Sequence, residues 1–225
     1  MIRALLFDVD NTLADRSAAF RRYSADFCRR RLAHRSPQEQ IVAVAEMLAI
    51  DNSGYTPRDE FCADVVARFA DCGLTATQMW HDHRDQLCEF YEPNVAVRQL
   101  VARLAAQYCM GIVSNGSQRN QRRKLERIGL ADLVECIVIS EEARVAKPDA
   151  AVFLAALDVL GCVPDEALFI GDDPYSDIAG ASRAGLATCW VSLGRPFPIE
   201  FPAPDLVIPC LLDLEGVLPC LMPAR

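Results

Sequence analysis

Four short polar clusters stand directly after apolar runs, and each carries groups that can do chemistry. The first is Asp8-Val9-Asp10-Asn11-Thr12, following Leu5-Leu6-Phe7. Two carboxylates so close repel each other unless a cation or a proton neutralises them. A hard, oxygen-seeking cation such as Mg²⁺ suits them; taken alone, the motif also fits a solvated acidic turn. The second is Ser114-Asn115-Gly116, closing Gly111-Ile112-Val113. A hydroxyl and backbone amides at a strand end can hold a phosphate, or can simply turn the chain into a helix. The third is Lys147-Pro148. The chain has 23 basic residues, yet Lys124 and Lys147 are its only lysines. Lysine in so arginine-rich a chain points to a need for a compact ammonium rather than a planar fork. The fourth is Gly171-Asp172-Asp173-Pro174-Tyr175-Ser176-Asp177. Asp172 leaves its strand end directly and is the best metal ligand of this group. Asp177 falls near a helix start, where capping is the ordinary role, and Asp173 fits either role.

The elements that must position these clusters follow from periodicity. Short apolar runs at 2–9, 108–114, 134–140, 167–171 and 187–193 have the length of buried parallel strands. Helical stretches at 94–106, 119–128, 149–160 and 176–184 lie between them, the last three stopping at Gly129, Gly161 and Gly185. Strands alternating with helices predict a parallel sheet covered on both faces. Residues 15–93 break the pattern: they contain no convincing strand and read as helices at about 17–33, 37–50, 58–72 and 76–90. Ser17, Ser36 and Thr75 are the expected starts, and Gly54 and Gly73 the breaks. A proline-rich stretch from Arg195 precedes a last short strand expected at 205–208.

Composition narrows the function classes. A chain of 225 residues accommodates one large domain or a core with an insertion. A net charge of -8 argues against a general nucleic-acid-binding surface. No apolar run approaches the ~20 residues of a membrane span, and no cleavage site follows the first apolar run. The ten cysteines include no C-x-x-C pair, so reduced, buried thiols in a cytoplasmic protein are expected. The three histidines share one stretch and show no ligand spacing with cysteine.

Taken together and in this order, FDVDNTL, SNG, KP and GDDPYSD resemble the four signature motifs of the haloacid-dehalogenase-like hydrolases. The resemblance covers about 1–14 and 94–195, and Asn11 stands where glycine is more usual. It implies a Rossmann-like α/β core over 1–14 and 94–225, with an inserted helical cap over 15–93. It implies a Mg²⁺-dependent phosphatase in which Asp8 attacks phosphorus to form an aspartyl-phosphate. Asp10 would protonate the leaving oxygen and then deprotonate the attacking water. The Asp8 side chain, the Asp10 carbonyl and Asp172 would hold the metal, and Ser114, Asn115 and Gly116 would bind phosphate. Lys147 would add positive charge and keep Asp8 ionised. Thr12 would support the loop and contact substrate; Asp173 and Asp177 would be supporting groups.

Asp10 and Asp172 disfavour the family's dehalogenases, and no lysine lies within 15–93 for Schiff-base phosphonate cleavage. A mutase shares all four motifs, and an inactive binding module is opposed by the intact acids. The expected substrate is a small phosphorylated metabolite: a nucleotide, sugar phosphate, phosphoglycolate or flavin mononucleotide. The expected assembly is a monomer or homodimer. The arginine-rich stretch from Arg16 to Arg35 reads as a solvated helix face, or as one supplying an arginine to a second anionic group. Tyr23, Phe27, Trp80 and Tyr91 read as core or as stacking residues.

Overall fold

In the computed structural model, which describes residues 1–221, six segments form strands. They are β1 (Ala4–Phe7), β2 (Cys109–Ser114), β3 (Cys136–Ile139), β4 (Ala167–Gly171), β5 (Ala187–Val191) and β6 (Leu206–Ile208). They make one sheet, ordered β3-β2-β1-β4-β5-β6, with every neighbouring pair parallel. Helices α1 (Arg16–Arg31), α2 (Pro37–Asp51), α3 (Arg58–Arg68) and α4 (Ala76–Gln86) separate β1 from the remaining strands. The others are α5 (Val95–Ala105), α6 (Gln118–Ile128), α7 (Ser140–Ala143), α8 (Ala150–Leu160), α9 (Gly180–Arg183) and α10 (Leu214–Val217). The chain divides into two compact units, 1–14 with 93–225 and 15–92.

The first unit is the expected α/β architecture. Ala4, Leu6, Val113, Ala167 and Phe169 pack against Val152, Phe153, Ala156 and Leu157 of α8. The alternate residues Leu5, Phe7, Ile112, Leu168 and Ile170 are buried as well, as strands covered on both faces require. Register then sets the site. Phe7 pairs with Ile112 and with Ile170, so β1, β2 and β4 end almost level. The clusters that follow them therefore share one edge of the sheet. The tail adds β6 and buries Ile208, Leu211, Leu214 and Leu218.

Four boundaries named here differ from expectation. β1 stops at Phe7, because the N–H groups of Leu13 and Ala14 both donate to Val9 O and close a tight turn. Asn11 has φ 58 there; asparagine tolerates this left-handed conformation, so it can stand where glycine is usual. The helix expected at 176–184 instead begins as a π-helical turn, Pro174–Ala179, before α9. The N–H groups of Asp177 and Ile178 both donate to Asp173 O, which widens that turn. α3 ends at Arg68 and α4 at Gln86, each followed by a short 3₁₀ turn.

The second unit is helical. Ser36 and Thr75 form capping boxes with Glu39 and Gln78, whereas α1 is capped by Asp15 rather than starting at Ser17. Tyr23, Phe27 and Tyr91 are buried core residues, while Trp80 is exposed and carries Arg84 over its ring. Most α1 arginines meet acids of the same unit: Arg22 pairs with Glu92, Arg29 with Asp26, and Arg30 with Asp26 and Asp82. Arg16 is different, because its guanidinium is buried and grips both oxygens of Asp51 at 2.7 Å. All ten cysteines are free thiols, seven of them buried. Among the described residues no helix is long and apolar enough to cross a membrane. Removing one partner of a buried pair leaves the other charge uncompensated. Asp51→Asn is therefore expected to cost about 3–5 kcal/mol, read as a lowered denaturation midpoint. An unchanged midpoint would count against a structural role for the pair.

Candidate active site

The site grows from the ends of β1 and β4. Asp8 follows β1, and its N–H donates to Ile170 O at 2.9 Å, tying it to β4. Its carboxylate is buried and accepts from Lys147 Nζ at 2.6 Å. The same ammonium lies 2.7 Å from Asp177 Oδ1, so one buried cation bridges two buried carboxylates. Asp177 can reach this point because residue 171 is glycine. A Cβ on Gly171 would lie 2.3 Å from Asp177 Oδ2. The backbone of Lys147 is held by Asn115, whose side chain donates to Lys147 O at 2.9 Å and accepts from Lys147 N at 2.8 Å.

Asp172, also buried, lies beside this bridge. Carboxylate oxygens of Asp8, Asp172 and Asp177 all fall within 4.8 Å of one another. Arg195 Nη2 meets Asp172 at Oδ2 (3.0 Å) and at the backbone O (2.7 Å), and Trp190 Nε1 donates to the same O at 2.9 Å. Burial pushes the Asp8 carboxyl up to about 7 from 3.8; Lys147 opposes the shift, while Asp177 and Asp10 add to it. Burial pushes Asp172 up to about 8, with Asp177 and Asp8 adding and Arg195 opposing. Burial raises Asp177 as well, against the pull of Lys147. Burial disfavours the charge on Lys147, but Asp177 and Asp8 outweigh it and hold the ammonium above its ordinary range. Three carboxylates around one ammonium are short of positive charge. An all-oxygen donor set of this kind fits a hard divalent cation.

Asp10 points elsewhere: both its oxygens accept from Lys124 Nζ, at 2.7 and 2.6 Å. Thr12 Oγ1 is buried in the same loop and has no hydrogen-bond partner. Ser114 is buried at the end of β2.

A family model described as haloacid dehalogenase-like hydrolase matches residues 5–191. The chain belongs to this family. N-acylneuraminate-9-phosphatase of Mus musculus is 25% identical over 96% of this chain and 94% of its own length. Pyrimidine 5'-nucleotidase YjjG of Escherichia coli is 42% identical over 48% of this chain and 49% of its own. The magnesium-bound HAD-hydrolase YfnB of Bacillus subtilis superposes with a TM-score of 0.81 at 26% identity, covering 96% and 98% of the two chains. L-2-haloacid dehalogenase of Xanthobacter autotrophicus has a TM-score of 0.70 at 19% identity over 97% and 99%, and shares the fold.

Within this haloacid-dehalogenase-like hydrolase the four motifs meet at one sheet edge, and several of their residues make contacts that the motifs alone did not indicate. Gly116 directs its N–H to Ser140 Oγ at 2.9 Å; its φ of 139 marks a turn that disfavours other residues. Asn115, expected to act through its backbone amide, contributes its side chain to the Lys147 loop. The Asp173 carboxylate caps the next turn, accepting from the N–H groups of Tyr175 and Ser176 at 2.9 and 2.6 Å, and stands outside the acidic cluster. Lys124, Arg195, Trp190 and Gln121 escaped the motif reading. Only Lys124 left a signal, as the other of two lysines.

Two outcomes follow from this geometry. Gly171→Ala displaces Asp177 and with it Lys147, and is expected to lower any activity of the site by about 100-fold; steady-state turnover checks this. The raised carboxyls stabilise the metal-free fold below their ordinary value of 3.8, and that contribution is lost as pH rises through about 7 and about 8. The metal-free denaturation midpoint should therefore fall between about pH 5 and about pH 8. Mg²⁺ should raise it more at the higher pH, where protons compete less, adding about 2.7 kcal/mol of stability at a hundredfold excess over Kd. Equal Mg²⁺ shifts at both pH values in scanning calorimetry would refute this.

Proposed function

We propose that this hydrolase is a Mg²⁺-dependent phosphatase that cleaves small phosphomonoesters through a phosphoryl-Asp8 intermediate. The observation that carries the reading is the Lys147 ammonium, which contacts Asp8 at 2.6 Å and Asp177 at 2.7 Å. It favours Asp8 as the anion and fixes where that anion points, which a carboxylate nucleophile needs. An Asp8 oxygen bonds to phosphorus as the bond from phosphorus to the ester oxygen breaks, and Asp10 gives the leaving oxygen its proton. Water then attacks the phosphoryl group and passes a proton back to Asp10, so inorganic phosphate leaves and Asp8 is restored. Ser114 and the buried Thr12 hydroxyl are the nearby donors for phosphate oxygens. Asp8 and Asp172, with the Asp10 carbonyl, are the groups we assign to Mg²⁺, which when bound neutralises the charge of the site and the phosphate. Asp177 serves to orient Lys147.

The substrate class rests on chemistry and on relatives. The relatives named above are an N-acylneuraminate-9-phosphatase and a pyrimidine 5'-nucleotidase, so a small phosphorylated metabolite of the sugar-phosphate or nucleotide type is the proposed substrate. We place the enzyme in the cytoplasm, acting as a monomer or homodimer without nucleic acid or membrane partners. The dehalogenase reading has the shared fold behind it, whereas the acids Asp10 and Asp172 favour phosphoryl transfer.

The test is hydrolysis of an aryl phosphate, followed by a panel of phosphorylated metabolites, with Mg²⁺ and with chelator. Activity should require Mg²⁺, and Asp8→Asn should reduce it by on the order of 10³-fold or more. Full activity in chelator would sink the metal assignment, and an active Asp8→Asn variant would sink the nucleophile.

A further inference from the structure

Asp10 has to deliver a proton to one atom, yet its carboxylate is not aimed by the acidic cluster around Asp8. Its backbone is fixed by the turn after β1, where Asn11 N–H donates to Ala14 O at 2.7 Å and Asp10 pairs with Ala14. The side chain is fixed from a different element. Lys124 Nζ lies 2.7 Å from Asp10 Oδ1 and 2.6 Å from Oδ2. The Lys124 side chain is 6% exposed and that of Asp10 28%, so the ammonium sits inside while the carboxylate keeps an open side.

The helix behind Lys124 is built to hold it still. Gln121, Lys124, Leu125 and Ile128 form the buried face of α6, at the spacing that puts them on one stripe. Leu125 and Ile128 anchor that stripe in the core. Gln121 donates to Asn115 O at 2.8 Å, tying α6 to the loop after β2. A charged group carried on a packed helix holds its partner more narrowly than one on a loop. Of the two lysines in this chain, Lys147 serves Asp8; the structure leaves Asp10 to the other.

We propose that Lys124 is a positioning residue that aims the Asp10 carboxyl at the leaving oxygen. The inference rests on the phosphatase reading and adds a component outside the four motifs. During ester cleavage the bond from Asp8 to phosphorus forms, the bond from phosphorus to the ester oxygen breaks, and the Asp10 proton goes to that oxygen. An alkoxide is a poor leaving group and needs that proton as the bond breaks. A dinitrophenolate leaves without it. A misdirected Asp10 should therefore slow only the first kind of substrate, since acid catalysis contributes about 10²–10⁴-fold where it is required. The parameter to read is kcat/KM, which reports steps up to ester cleavage and excludes the later attack of water that both substrates share.

The experiment uses the full chain with saturating Mg²⁺ and compares an alkyl phosphomonoester with 2,4-dinitrophenyl phosphate. Lys124→Met should lower kcat/KM on the alkyl ester by about 100-fold and on the dinitrophenyl ester by less than about threefold. Asp10→Asn should show the same asymmetry. Lys124→Arg, which keeps a cation that can engage both oxygens, should recover part of the alkyl activity. Equal losses on the two esters, or no loss on either, would make the pair a structural one and overturn the proposal. Lys124→Gln is read the same way should Lys124→Met not fold, and failure of both to fold would also assign the pair to stability. Wild-type protein inactive on both esters would remove the phosphatase reading and this inference with it. Wild-type activity with parallel losses would remove only the role of Lys124.

Discussion

A single ammonium buried between two carboxylates organises this site. Lys147 stands between Asp8 and Asp177 and opposes the burial that raises both carboxyls. Taking three charges out of water is costly, and the cost is tolerated only when the geometry is close. That geometry is enforced by neighbours that do no chemistry themselves. Gly171 lets the Asp177 carboxylate lie against the end of β4. The Asn115 side chain fixes the Lys147 backbone at both its N–H and its carbonyl.

The remaining acids follow the same logic, each with a cation from a separate element. Lys124 on α6 takes Asp10, and Arg195, after β5, takes Asp172. These four acids and three cations leave an excess of negative charge at the sheet edge, which accords with carboxyls raised by burial and by one another. Charge is thus both the structural problem of the site and its chemical resource. The shortage of positive charge that strains the metal-free site is what would attract a divalent cation and then an anionic substrate.

The helical unit solves a different problem with the same residue types. Its first helix looks strongly basic in sequence, but Asp26, Asp82, Glu92 and Asp51 of the same unit answer most of those arginines. Only Arg16 combines full burial with a bidentate grip on its partner. The aromatic residues Tyr23 and Phe27 line the interior of that unit, with Tyr23 hydroxyl donating to Asp82 at 2.9 Å. Exposed pairs of this kind contribute little each, so the unit relies on its aromatic core.

Much of the α/β architecture was legible because burial on both faces writes a strand as a continuous apolar run, as in Leu5-Leu6-Phe7 and Leu168-Phe169-Ile170. The order of acids and lysine after those runs was enough to resemble a family, and the lysine count singled out Lys124 and Lys147 together. The resemblance already gives Lys147 to Asp8; the cations that meet Asp10 and Asp172 had no signal in the motifs. Asp10 meets Lys124 across 114 residues and Asp8 meets Lys147 across 139, distances over which local propensity carries no information. Strand register and the packed face of α6 made those pairings. They also engaged the Asn115 side chain and the Gly116 N–H in a loop and a turn, and made Asp173 a cap. The sequence determined the residue types at the edge of the sheet; the tertiary structure decided how they pair, because charge pairing depends on distance in space and periodicity reports only neighbours along the chain.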